Sequence, residues 1–545
     1  MIVVAELRDG QAFDLLGRVP PCPLAGVSGS IVRLDTDSGA AEVIAEAGSA
    51  LADVHKIAGR FHLDPLHSDA TEAEAAALVQ HPGLDDPALI DLLHLPFCTI
   101  DNVDSRDLDQ AMCIEPDDEH AGGHIVWYAL ADASYYVRPG SELFAESVRR
   151  GASYYLPGLV IPMLPRCLSE DLVSLNADVV RRAFVFRATL DEHGEVSATA
   201  FVRGRIKSRA KLSYEGVQQH YADQHLAGHD YSATLDLLAV VGQRRIALAE
   251  ARHVVQYPRH ELEVTLSDPH GRRFVAFEDV RLDVDRFNEQ ISLLVNSEGA
   301  RFLAERTGLR PIFRVHPSPE PPDFVTFAAR VDSLVRYHQL DDSWHWRPQQ
   351  ETLADYLARL PTDAVAMAIE RQALLMNQRS SFAAEPGLHY GVGAAMYARF
   401  SSPMREVVGI FTHKEAIEAL DGIPDDPADE ALQQAVIVAA NKAKDRQREL
   451  TKAANQLVID AFLHVGLALE GTIMGVGRDR IYLQLDSPPL ELKLYAQDLG
   501  KDFHLLPDGV SATASDRRYV LGDRLRVSVT AHDEKRDRWC IVPST

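Results

Sequence analysis

The chain reads as an α+β protein of several domains, and three observations carry that reading. Its 545 residues exceed what a single core usually organises. Its middle mixes short strand-like runs with long helical patterns, predicted over 232–252, 290–306 and 429–463. From about residue 464 the pattern changes to short alternating strands: Leu469-Glu-Gly-Thr-Ile-Met, Arg480-Ile-Tyr-Leu-Gln-Leu, Leu490-Glu-Leu-Lys-Leu-Tyr and Tyr519-Val-Leu-Gly-Asp-Arg-Leu-Arg-Val. The expected organisation is a small mixed α/β module over 1–90, a large α+β domain over 91–463 and a five-stranded β-barrel over 464–545. The first module opens with strand-like runs near Ile2 to Leu7 and Ile31 to Leu34. Helical patterns follow at 50–58, 71–79 and 87–93, an order that would suit a winged-helix-like module, although no basic recognition helix accompanies it. No internal repeat or low-complexity segment appears.

Bulk properties narrow the function. Five cysteines (Cys22, Cys98, Cys113, Cys167, Cys540) form no C-x-x-C pair, so neither a zinc site nor a disulfide framework is supported, and a reducing compartment suits the chain. The N-terminus lacks a basic region ahead of an apolar segment, and no run of eighteen apolar residues occurs, so a cytoplasmic protein that neither enters nor crosses a membrane is expected. A formal net charge of -25 opposes nucleic-acid binding over the surface at large. It leaves room for a locally basic channel. Arg203, Arg205, Lys207, Arg209 and Lys211 fall on every second position, which in an extended strand places all five on one face. That face is either a track for phosphates or a charged guard on a sheet edge.

The chemistry concentrates in Thr99-Ile-Asp-Asn-Val-Asp-Ser-Arg-Asp-Leu-Asp-Gln-Ala-Met112, where Asp101, Asp104, Asp107 and Asp109 crowd together. Clustered carboxylates repel unless cations bind them, and hard divalent ions relieve the repulsion through oxygen ligands while keeping positions open for a phosphate. The alternative is a solvated acidic loop. Two H-x-x-x-H spacings, His120 with His124 and His225 with His229, each span glycine and lack the glutamate of a zinc helix, so they read as loop histidines.

The aspartate segment resembles the signature T-I-D-x(5)-D-x-D-D-A of the ribonuclease II family, the RNB-domain exoribonucleases. Further segments resemble that family in order: Ala131-Asp-Ala-Ser-Tyr-Tyr-Val-Arg-Pro-Gly-Ser141, Tyr155-Leu-Pro-Gly-Leu-Val-Ile-Pro-Met-Leu-Pro-Arg166, Leu168-Ser-Glu-Asp-Leu-Val-Ser-Leu-Asn176, Lys211-Leu-Ser-Tyr214, Arg314-Val-His316, His389-Tyr-Gly-Val-Gly393 and Ser402-Pro-Met-Arg405. The resemblance implies an RNB catalytic domain followed by an OB-fold RNA-binding barrel. It implies a processive, hydrolytic 3′→5′ exoribonuclease that takes single-stranded RNA to nucleoside 5′-monophosphates by a two-metal mechanism with Mg²⁺, or Mn²⁺ in its place, acting as a monomer. By the same resemblance Asp109, Asp107 and Arg405 are catalytic, and Asp101, Asp107, Asp109 and Gln110 hold metal. Tyr214 would stack on a base, the basic strand and His316 would contact RNA, and Tyr482 and Tyr495 would stack in the barrel or fill its core. His389 and His413 are either RNA contacts or structural hydrogen-bonding histidines.

The chain also departs from the family pattern. Gln110 stands in place of the last aspartate, Glu406-Val407 in place of an Arg-Tyr pair and Gly409 in place of an aspartate, while ninety residues hardly hold the two cold-shock barrels often found ahead of the domain. A second reading therefore stays open, an RNA-binding protein on a catalytically decayed RNB scaffold.

Overall fold

The structure is a computed structural model that describes residues 1–257, 261–268, 270–424 and 426–544. Its first element is a five-stranded antiparallel sheet in the order Cys22–Pro23, Gln11–Asp14, Ile2–Arg8, Ile31–Asp35 and Ala41–Ala45. Two helices follow, Ala50–Arg60 and Asp69–Val79, each started by a serine, Ser49 or Ser68, whose hydroxyl accepts an N–H of the first turn. The third helix expected over 87–93 does not form. Asp86 accepts the Ala88 N–H and Asp91 accepts the Leu93 N–H, each at 2.9 Å, and these local turns compete with helical pairing. Ile90–Asp91 instead joins strand Val196–Lys207 in parallel, with Leu89, Leu92 and Leu95 buried beneath. The first helix packs Val54, Ile57 and Ala58 against Tyr154, Leu156, Ile161 and Leu450. With two helices, one of them built into the neighbouring core, a free-standing winged-helix-like module is not what these residues make.

The central sheet runs Ile90–Asp91, Val196–Lys207, Val180–Leu190, His124–Ala131 and Gln110–Pro116. Strands Val180–Leu190, His124–Ala131 and Gln110–Pro116 are buried over most of their length because both faces are covered. Ala111, Cys113, Ala129, Ala131, Ala183 and Val185 face a core shared with Val407, Phe411 and Val436. Met112, Ile114, Tyr128, Leu130, Phe184 and Phe186 face one shared with Leu235, Ile291 and Leu294. The long helices are Ser232–Ala251, Asp283–Ala304 and Ala428–Phe462. The second starts ahead of the predicted residue 290 because Asp285 caps it by accepting the Leu282 N–H at 2.8 Å. The third, of 35 residues, spans about 52 Å and touches the cores of both the first helix and the central sheet.

At the C-terminal end, five antiparallel strands order as Glu491–Tyr495, Arg480–Leu485, Ala468–Val476, Arg524–Asp533 and Arg538–Pro543, beside a three-stranded sheet of His504–Leu505, Ser511–Ala514 and Arg517–Val520. The five strands expected of the barrel are present, and the two edge strands approach each other without a hydrogen-bonded ladder joining them among the described residues. Side chains bridge the gap, since Arg538 lies 4.5 Å from the Tyr495 ring centre and forms an ion pair with Asp498. No helix of the described residues is long and apolar enough to cross a membrane.

The motif Ala131-Asp-Ala-Ser-Tyr has a structural role. Asp132 meets Arg182 at 3.1 Å with both side chains fully buried, and the guanidinium sits 3.5 Å from the Tyr135 ring centre. Arg182 has a second carboxylate partner, Asp86 at 3.1 Å, whereas Arg182 is the one ion partner of Asp132 among the described residues, so it is loss of Arg182 that strands a buried charge. Arg182→Met should therefore cost about 3 kcal/mol, read in urea unfolding as a lower midpoint at unchanged slope.

Candidate active site

Asp109 ends the aspartate segment at the mouth of strand Gln110–Pro116. Its side chain is fully buried, and its backbone carbonyl accepts the Ala131 N–H at 2.8 Å. One carboxylate oxygen accepts the Met404 N–H at 2.8 Å and the other accepts Nε of Arg405. Burial pushes the Asp109 carboxyl up to about 6, opposed by the Arg405 charge and seconded by Asp107. The surrounding carboxylates hold Arg405 charged well above its ordinary range against the cost of its own burial.

The rest of the segment is pinned from three sides. The Leu108 N–H donates to Ser174 Oγ, and that hydroxyl donates to the Arg106 carbonyl. Asp101 closes strand Thr99–Asp101, which pairs in parallel with Lys211–Ser213, and one of its oxygens accepts Asn102 N–H and Ser105 Oγ. Asp107 accepts the Tyr155 hydroxyl at 2.9 Å. Asp104 is exposed. Gln110 Oε1 is buried and has no hydrogen-bond partner among the described residues, a costly state for an amide oxygen. Three carboxylates and an orphaned amide oxygen form an all-oxygen donor set, which fits Mg²⁺ or Mn²⁺ rather than a soft metal. The carboxylates do not converge on one point. Among the described residues, the one trio of acidic groups with oxygens within 4.8 Å of one another is Glu415, Glu418 and Asp429, and Lys414 already fills it with contacts of 3.0, 2.8 and 2.8 Å.

The turn carrying Arg405 is held by residues that the sequence reading passed over. Asn296, fully buried in helix Asp283–Ala304, accepts the Phe400 and Ser401 N–H groups at 2.7 and 3.0 Å. It donates to Tyr397 Oη and Ser401 Oγ at 2.8 and 2.9 Å. Gly409, in the helix Val407–Asp421 that follows, packs against this turn: a Cβ there would stand 2.8 Å from Pro403 Cα, so the aspartate expected at this position has no room. Glu406 is engaged by Arg399, whose Nη2 lies 2.9 Å away. Beside the turn lies a cavity of ≈ 300 Å³ bordered by Tyr155, Arg399, Arg405, Glu406, Lys444 and Gln447. Tyr155, Asn296 and Arg399 carried no periodicity or spacing signal of their own, and only tertiary contact shows their part.

The basic run is not one face of one strand. Its strand ends at Lys207, Arg209 lies in the connection, and Lys211 opens the next strand. All five cations have partners inside the protein: Arg203 with Asp421 at 3.0 Å, Arg205 with Asp91 at 4.0 Å, Lys207 with Asp178 at 3.2 Å and Arg209 with Asp230 at 3.2 Å. Lys211 donates to the Val103 and Ser105 carbonyls and so closes the aspartate loop. Tyr214 begins a helix, and its hydroxyl accepts from Asn288 at 3.0 Å. His316 accepts the Gly391 N–H through Nδ1, and His413, fully buried, is bonded to the Phe400 carbonyl, so both act on backbone. His389 is buried against His316 and Tyr397. Tyr482 and Tyr495 lie on the face opposite Ile481, Leu483 and Leu494, outside the core of that sheet, with arginines over their rings: Arg371 over Tyr482, and Arg480 and Arg538 over Tyr495.

This site, with carboxylates from one half of the chain locked to an arginine from the other, has the composition of a phosphodiester-cleaving centre. The RNB domain family model matches residues 89–422, and the chain belongs to that family. Ribonuclease R of Escherichia coli (strain K12) is 27% identical over 515 residues, covering 90% of this chain. The chain spans 62% of that relative's length. Among solved structures, Mycoplasma genitalium RNase R in complex with ribose methylated single-stranded RNA superposes with a TM-score of 0.84 at 19% identity, covering 100% of this chain and 90% of that one. Yeast Ssd1, described as a pseudonuclease, does so with a TM-score of 0.62 at 13% identity, covering 94% and 67%.

Asn296→Ala should remove the clamp on the arginine turn and leave buried N–H groups unpaired. The expected cost is about 2–3 kcal/mol in chemical denaturation, with faster amide exchange at Phe400 and Ser401 than elsewhere in the domain.

Proposed function

We propose that this protein is a metal-dependent, processive 3′→5′ exoribonuclease that hydrolyses single-stranded RNA to nucleoside 5′-monophosphates. The observation that carries the reading is the Asp109–Arg405 contact, which sets a buried carboxylate and a permanent, bidentate-capable cation side by side. Asp101, Asp107 and Asp109 with Gln110 would hold Mg²⁺, or Mn²⁺ in its place, which supplies an activated water and charge neutralisation on phosphate when bound. The protein's own groups do the rest. Arg405 orients the scissile phosphate while Asp109 fixes the guanidinium plane. Tyr155 holds Asp107, and Tyr214 stacks on a base. We assign residues 1–90, 91–463 and 464–545 as successive domains, the last an OB-type RNA-binding unit whose outward Tyr482 and Tyr495 accept bases. Cytoplasmic location and a monomeric state belong to the same proposal.

A second reading, binding without cleavage, is favoured by Gln110 in a metal position and by the likeness to a protein described as a pseudonuclease. Digestion of a 5′-labelled single-stranded RNA with Mg²⁺ separates the two. Stepwise shortening to a small labelled product by the unaltered protein, lost in Asp109→Asn, is the expected result. Intact RNA that both proteins bind would establish the second reading. Gln110 supplies a neutral oxygen where a charged one is usual, so Gln110→Asp should lower the Mg²⁺ concentration for half-maximal activity. An unchanged metal titration would remove Gln110 from the ligand set.

A further inference from the structure

We propose that the cavity beside Arg405 is a subsite for a 3′-terminal phosphate, so that RNA ending in a phosphomonoester is a substrate class of this protein. The proposal rests on the exonuclease reading for its polarity, since only a strand entering by its 3′ end places that group beyond the scissile phosphate.

The argument is one of unmatched charge. Three cations border the cavity, Arg399, Arg405 and Lys444, against one carboxylate, Glu406. Arg405 is matched by Asp109 and Arg399 by Glu406. Lys444 is matched by no carboxylate: its Nζ donates to the Ser380 carbonyl at 3.0 Å and to Ser380 Oγ at 2.9 Å, both neutral oxygens. Behind it Arg314 sends Nη2 toward the same Oγ at 3.4 Å, while its Nε is buried with no hydrogen-bond partner. No ion pair is formed by either cation among the described residues. Two cations that share one serine oxygen repel each other. Burial, seconded by Arg314, lowers the Lys444 ammonium to about 8.

A dianion offsets that surplus of two. A phosphodiester carries a single charge, whereas a phosphomonoester carries close to two at neutral pH. The cavity's ≈ 300 Å³ lies at the small end of ligand-sized spaces and admits about one nucleotide. Ser153 and Gln447 line it with neutral hydrogen-bonding groups, and Phe382 with an apolar wall.

The test measures binding of Asp109→Asn protein to a 5′-fluorescent ten-nucleotide RNA that ends in either a 3′-hydroxyl or a 3′-phosphate. The phosphate-ended RNA should bind at least fivefold more tightly. Adding Lys444→Gln should abolish that advantage, and adding Lys444→Arg should retain it, which separates charge from a general packing effect. Equal or weaker binding of the phosphate-ended RNA, or an advantage that survives Lys444→Gln, overturns the proposal. So does a nucleoside 5′-monophosphate that displaces both RNAs equally and is weakened by Lys444→Gln while the RNAs are not, because the subsite then serves the released product. Digestion of the 3′-hydroxyl RNA by the unaltered protein reports separately on the exonuclease reading, and its absence would end that reading whatever the binding ratio.

Discussion

The ion pair between Asp109 and Arg405 joins residues 296 positions apart, and most of the site is organised by it. Asp109 comes from the edge of the central sheet and Arg405 from the turn ahead of helix Val407–Asp421. A fully buried carboxylate tolerates its charge only where donors surround it. Here the Met404 N–H and the guanidinium take one oxygen each. An ionised carboxylate keeps about four acceptor positions, so two remain for a cation. The pair therefore fixes geometry without exhausting the oxygens. Everything that holds the two backbones, Ser174 beneath the aspartate loop and Asn296 beneath the arginine turn, acts by keeping this contact in register.

The departures from the family pattern form a consistent set once partners are known. An acidic residue at 406 would set a negative charge beside the phosphate path. Arg399 neutralises it at 2.9 Å, so the cavity wall gains a dipolar pair instead of a repelling carboxylate. Gly409 follows from the same turn, whose backbone passes too close for any side chain. Gln110 is the departure with no compensating partner, since its oxygen is left orphaned and buried.

Periodicity made the helices over 232–251 and 428–462 legible, because long amphipathic or buried patterns leave few alternatives. It failed at 87–93, where two aspartates offered the backbone local bonds that compete with a helix and a neighbouring strand had an open edge. The aspartate cluster was visible as charge crowding, and Arg405 through resemblance alone. The parts played by Tyr155, Asn296 and Arg399 were not visible, since the first two act on partners more than forty positions away and the third meets Glu406 only because the turn between them folds back. The alternating cations of 203–211 misled for a related reason. Spacing reports which way side chains point only while the strand lasts, and this one stops at Lys207. It is also silent on whether a carboxylate from another element meets them, as Asp421, Asp178 and Asp230 do.

That last point bears on how a chain of net charge -25 approaches a polyanion. If exposed cations such as Lys207 carried the attraction, their pairing with aspartates would weaken it, and bulk salt would screen what was left beyond about 8 Å. Lys444 and Arg314 stand differently. They are recessed, share a neutral serine oxygen and meet no carboxylate at ion-pair distance among the described residues, so their field is concentrated where the dielectric is low. A surface that repels RNA at long range and a recess that attracts it at short range are compatible. Such an arrangement disfavours binding along the middle of a strand, where many phosphates face acidic surface, and favours a free end narrow enough to enter the recess. On the exonuclease reading, the charge distribution thus favours end recognition on electrostatic grounds that are independent of the aspartate cluster.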